Sequence, residues 1–193
     1  MGVPVKKLIS ILQSKSSGKN VILFFMPAMV VYVAMLSYTI PSVEKYANGM
    51  KLFDLSPGGY SYEYAKELLT TLGDSGRDLY LYNQLPLDFL YPGLFAISCS
   101  LLLCWLFLKI KDPSSSLFYF CFVPVAAGVF DYIENILIIS LIAGYPDISA
   151  GLVELSSLVT IAKSVLTTLF FIVLTIAGIA CIAKKGKSQI KGG

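Results

Sequence analysis

Apolar and polar positions along the chain fall into long blocks rather than short alternations. Four stretches, residues 21–40, 86–108, 117–143 and 152–183, are almost wholly apolar. Each is long enough for a helix to cross a hydrocarbon layer of about 30 Å, which takes roughly 20 residues. The pattern predicts an all-α fold, a polytopic four-transmembrane-helix bundle forming one membrane domain. Around the spans lie an arm (residues 1–19), a long connection (41–85) and a tail (184–193). At about 1.5 Å per residue the fourth stretch is about 48 Å long, so it has to tilt or project beyond the membrane.

The connection carries its own periodicity. Residues 60–72 read as an amphipathic helix, with Ser61 placed to cap its start and Gly73 its end. Asp74-Ser75-Gly76 is placed to cap a second helix that starts at Arg77 and runs on into the second span. Counting from Arg77, the residues Tyr80, Gln84, Asp88 and Tyr91 recur at about 3.5 positions, which predicts a polar stripe on one helix face descending into the membrane. Pro86 and Pro92 are expected to kink this helix or to mark its first turn. Residues 3–14 mix apolar side chains with Lys6 and Lys7, suiting a short helix on the membrane surface.

Composition narrows the class. The chain is 56% hydrophobic and 14% charged, with a mean hydropathy of +0.74. Soluble domains are about 45–50% apolar and about 25% charged, so both a soluble domain and a disordered chain are excluded. Ten of the fifteen basic residues are Lys6, Lys7, Lys15, Lys19, Lys109, Lys111, Lys184, Lys185, Lys187 and Lys191. With four spans they all fall on one side, which predicts both termini in the cytoplasm and the plasma (inner) membrane as the location. The connection, with four basic against six acidic residues, is expected to face outward. The formal net charge of +3 is therefore a topology signal, and no nucleic-acid partner is expected. The first span ends in Ser37-Tyr38-Thr39-Ile40-Pro41 without a cleavage signature and reads as a retained anchor, and Lys6 stands where a myristoylation signal needs Ser or Thr.

The chain has no histidine, which excludes serine–histidine and cysteine–histidine catalysis and histidine-ligated zinc or haem. Its four cysteines, Cys99, Cys104, Cys121 and Cys181, all fall within spans and form no Cys-x-x-Cys pair, so they read as packing residues. No cofactor is expected.

The chemistry on offer is ionisable groups at membrane depth. Asp131, Glu134 and Asn135 lie three and four positions apart, on one side of the third span. Lys163 is the single charge inside the fourth span, about 17 Å from its start, matching the depth of Asp131. An isolated charge there would cost about 2.5–3.5 kcal/mol, so a pair between Lys163 and Asp131 or Glu134 is the economical arrangement. Asp88, Asp131, Glu134, Asn135 and Lys163 are the expected intramembrane polar site, with Arg77, Tyr80, Gln84, Tyr91 and Glu154 as its outer entrance.

As a set, Gly76-Arg77-x-x-Tyr80, Leu87-Asp88-x-x-x-Pro92 and Asp131-x-x-Glu134-Asn135 resemble a group of small, uncharacterised four-span membrane proteins, chiefly bacterial. The resemblance covers residues 72–141 and implies architecture alone. The residues support three functional readings. The first is binding or transport of a proton, a cation or a small amphiphile at an outward-facing site. The second is an assembly subunit whose buried pair fixes helix register. The third is a lipid-modifying enzyme using Asp131 and Glu134 as acid and base or as ligands for a hard cation, with Arg77 meeting a phosphate; with no compact nucleophile or metal motif, an enzyme is the less favoured. The partners expected are the lipid bilayer and either a second copy of the chain or a membrane partner protein.

Overall fold

A computed structural model describes the backbone of residues 3–190 and the side chains of residues 5–185. Lys187, Lys191 and the Met1-Gly2 start lie outside those described side chains. The described residues are helical without strands, and four continuous helical rods are long and apolar enough to cross a membrane.

Helix α1 (Val3–Lys15) leads into α2 (Gly18–Ala34), where the Ser17 hydroxyl caps the new helix by accepting from the Asn20 N–H at 3.2 Å. A π-turn (Met35–Thr39) joins α2 to the short α3 (Ile40–Glu44), giving a first rod of 27 residues. A turn and a short 3-10 segment (Phe53–Leu55) come next. Then come α4 (Tyr62–Leu79), a second π-turn (Tyr80–Gln84) and α5 (Leu85–Ile110). After a 3-10 stretch (Ser116–Phe122), α6 (Val123–Gly144) and α7 (Ala150–Ile190) complete the chain.

The breaks in these rods have local causes. Ser61 caps α4 by accepting from the Tyr64 N–H, and Gly73 kinks the same helix with φ 60° and ψ −176°, a conformation essentially closed to residues with a Cβ. Beyond the kink, Asp74 pairs with Arg77 at 2.5 Å. Each π-turn ends directly before an Xaa-Pro pair, Ile40-Pro41 and Leu85-Pro86. The Ile40 N–H bonds to the Met35 carbonyl and the Leu85 N–H to that of Tyr80, both five residues back. A proline cannot donate to the carbonyl four residues earlier and crowds it, so the chain widens by one residue just before it. Pro124 opens α6 at its first turn, so the segment predicted as the start of the third span is 3-10 rather than α-helical.

The rods pack unequally. Helix α6 lies along α7 and against α5, while α2 packs chiefly on α5 and scarcely touches α7. Gly128 allows close approach of α6 to α5, since a Cβ there would stand 2.9 Å from the Pro92 carbonyl oxygen. The bundle thus has two ends. The terminal end gathers α1, the turn after α5 and the far part of α7, tied by Gln13 Nε2 to the Pro113 carbonyl (2.8 Å) and Lys184 Nζ to that of Lys109 (2.9 Å). The connection end gathers the segment 45–61, α4 and the turn between α6 and α7, where Thr70 and Tyr145 hydroxyls meet at 3.0 Å.

Candidate functional site

Helices α6 and α7 meet through charge. Lys163 Nζ donates to Asp131 Oδ1 at 3.2 Å and to Glu134 Oε2. The other oxygen of Glu134, Oε1, accepts from the Thr160 hydroxyl at 2.5 Å, so this carboxylate, 0% exposed, has both oxygens partnered. Thr160 lies three residues before Lys163 on α7, which puts both on the face that meets α6. Asn135, fully buried, donates from Nδ2 to the backbone carbonyl of Asp88 at 3.0 Å and so ties α6 to α5. Asp88 is 4% exposed, and its Oδ2 has no hydrogen-bond partner, nor has Asn135 Oδ1. The structure thus brings Asp131, Glu134 and Lys163 into one cluster, with Asn135 and Asp88 beside it.

The residues of the expected entrance do not form a stripe. Tyr80 is fully buried and donates to Asp54 Oδ1, while Gln84, also buried, accepts from the Thr39 hydroxyl. Arg77 donates to the Leu69 carbonyl at 2.6 Å, pairs with Asp74 and sits 4.3 Å from the centre of the Tyr145 ring. Tyr91 stacks on Tyr32 of α2, with ring centres 5.5 Å apart. Glu154 is exposed on the early part of α7. The single-face reading assumes an unbroken α-helical period from Arg77 to Tyr91. The π-turn at 80–84 inserts one residue into that period and rotates the rest of the helix, so each side chain finds a different partner.

Four contributors fall outside the expected site. Asp54, on the 3-10 segment, accepts from the Tyr80 hydroxyl and so ties that segment to the rod that carries Asp88. The run Leu52-Phe53-Asp54-Leu55, apolar within a polar connection, is the signal that could have marked it. Tyr60 seats the same segment: its N–H donates to Ser157 Oγ at 2.8 Å and its hydroxyl to Ser156 Oγ at 2.7 Å. Burial, the largest influence, pushes the Tyr60 hydroxyl from its ordinary 10 up to about 12, so it stays a donor at neutral pH. Thr39 joins the two π-turns at their last residues, and Tyr32 carries no local signal at all. Among the described residues, no group of three or more Cys, Asp or Glu side chains is placed to hold a metal ion.

On the terminal side of the cluster lies a cavity of about 470 Å³. Helix α2 supplies Phe25, Met29 and Tyr32, and α7 supplies Thr167, Phe171 and Leu174. Aromatic side chains of α5 and α7, Phe95 and Phe170, meet edge to face behind them at 5.5 Å. Asp131 and Lys163 form the polar end. Tyr32 and Phe171 line the chamber yet are 38% and 52% exposed, so the mouth opens sideways where α2 and α7 stand apart. Away from the mouth, above the cluster, Leu52, Phe53 and Tyr80 are fully buried and close the connection end. A largely apolar cavity of this size, with a few converging polar groups, suits a small molecule with an apolar body and a polar head.

No family model, curated protein or solved structure matches the chain. The fold and site define its class: an all-helical protein with four helices long and apolar enough to span a membrane and a charged cluster between three of them.

Proposed function

We propose that the chain is a multi-pass protein of the plasma (inner) membrane that binds an amphiphile in the cavity between α2 and α7. In this reading the termini face the cytoplasm, in line with the bias of basic residues toward that side. Lys15, Lys19, Lys109, Lys111, Lys184 and Lys185 are at the terminal end, where Lys109 lies 3.5 Å from the centre of the Trp105 ring. The observation that carries the reading is the lateral mouth. A chamber that opens through the side of the bundle, with Asp131 and Lys163 at one end and aromatic and aliphatic walls elsewhere, admits a tail from the hydrocarbon layer and meets a head at the ion pair. Charged side chains at such depth are functional candidates by default.

Native mass spectrometry of the chain extracted in mild detergent tests this. Wild type is expected to retain one bound amphiphile, and Thr167→Phe, which fills the chamber one turn beyond Lys163, to lose it. No retained adduct, or equal retention in both, overturns the reading. A second reading is an assembly subunit whose ion pair fixes α6 against α7, and it is favoured by the complete pairing of Glu134. Function that survives the triple change Asp131→Asn, Glu134→Gln, Lys163→Met would support it over amphiphile binding.

A further inference from the structure

The charges at the polar end of the cavity are unequal, and that inequality selects a head group. Among the described residues Lys163 is the cation at this end, and its ammonium is already engaged by Asp131 and Glu134. Asp131 gives Oδ1 to Lys163, and no hydrogen bond reaches its other oxygen, although the residue lines the chamber. Asp88 Oδ2 and Asn135 Oδ1, also without partners, are buried behind the wall and do not line the chamber. The free acceptor of the charged end is therefore the second oxygen of Asp131, and the hydroxyl residues that share the lining, Tyr32, Tyr91 and Thr167, can accept as well as donate. An ammonium brings three donors and a positive charge, whereas a phosphate or carboxylate head brings acceptors and more negative charge.

Resting on the amphiphile-binding reading, we propose that the ligand is cationic: a long-chain amine whose ammonium sits beside Asp131 while its tail lies between α2 and α7. An anionic head would meet Asp131 at the chamber wall with Glu134 behind it, and would find Lys163 already paired. Anionic lipids around the bundle are thereby disfavoured as occupants.

Two probes with the same alkyl chain and a mid-chain diazirine, one a primary amine and the other a phosphate monoester, distinguish the outcomes. The full chain is placed in nanodiscs of zwitterionic phospholipid at neutral pH, irradiated, and its crosslinks are mapped by mass spectrometry. The amine is expected to label segments 25–32 and 167–174 about tenfold more than the phosphate at equal concentration, and unlabelled amine is expected to compete. Thr167→Lys adds a cation to the wall with Asp131, Glu134 and Lys163 unchanged and should remove that preference. Equal or stronger labelling by the phosphate in wild type overturns the amine inference while leaving an amphiphile cavity standing. Labelling of neither segment by either probe overturns the cavity reading and this inference with it.

Discussion

The two ends of the bundle are built from the same four rods, yet one is sealed and the other is hollow. At the connection end, Leu52, Phe53, Leu68, Leu69, Leu72 and Tyr80 from irregular chain and α4 pack with Ile138 and Leu141 of α6 into one buried cluster. Polar ties hold it: Tyr80 to Asp54, Tyr60 to Ser156 and Ser157, and Thr39 to Gln84. Toward the terminal end, Phe95, Phe107, Phe118 and Phe170 form a second cluster with buried cysteines, but no connection fills the space between α2 and α7. Side-chain volume supplied by the connection, from its irregular segment and from α4 alike, is what closes that end, because rods that stand apart leave a gap that their own side chains do not span. The charged cluster sits at the boundary between the two regimes.

The largest expected effect breaks that boundary. Lys163→Met leaves Asp131 and Glu134 buried without their cation and should lower stability by about 3–5 kcal/mol, with most of the loss recovered when both carboxylates are also neutralised. Thermal melting of the purified chain reads both. Next, Gly59→Ala attacks the seal. Gly59 has φ 78°, and a Cβ there would stand 2.5 Å from Ser157 Oγ and 2.8 Å from Ile161 Cδ1. Strain of about 1–3 kcal/mol is expected, with protease sensitivity appearing in segment 45–61. At Gly73 a Cβ would meet nothing within 4 Å, so Gly73→Ala should register backbone strain without unseating that segment.

A smaller effect is expected from Tyr60, and it has a definite pH window. Its hydroxyl is raised from 10 to about 12 by burial, so the neutral form is favoured by the folded state. That contribution is complete below about pH 10 and is lost as pH rises through about 12. Exposure of segment 45–61 should therefore increase over that interval by more in wild type than in Tyr60→Phe, as followed by limited proteolysis. The smallest effect belongs to the Arg77–Asp74 pair. Asp74 is 95% exposed, and pairs of that kind contribute about 0–1 kcal/mol. Asp74→Asn, which leaves Arg77 bonded to the Leu69 carbonyl and against the Tyr145 ring, should barely move the melting temperature. A loss approaching that of Lys163→Met would show that the connection end depends on charge as much as the central cluster does.

Much of the molecule is legible in local patterns. The four rods come from apolar length, the Ser61 cap and the Gly73 break from residue type, and the nearness of Lys163 to Asp131 from counting helical rise. The polar stripe is misread because periodicity carries no sign of a π-turn; the proline that forces one at 80–84 is visible, but its effect on the face of Gln84 and Asp88 is not. Asp54 lies 26 residues from the Tyr80 it binds, and Thr39 lies 45 from Gln84, and no local spacing reports such encounters.

The sequence by itself therefore determined how many rods there are, where α4 is capped and broken, and which ionisable residues lie deep along the rods, because these depend on neighbours within a turn or two. Only the tertiary structure decided that segment 45–61 folds over one end of the cluster and that α2 stands away from α7 at the other. Those outcomes arise from packing among surfaces far apart in the chain, where shape and volume, rather than residue type, settle whether a charged pair is sealed in or left at the wall of a cavity.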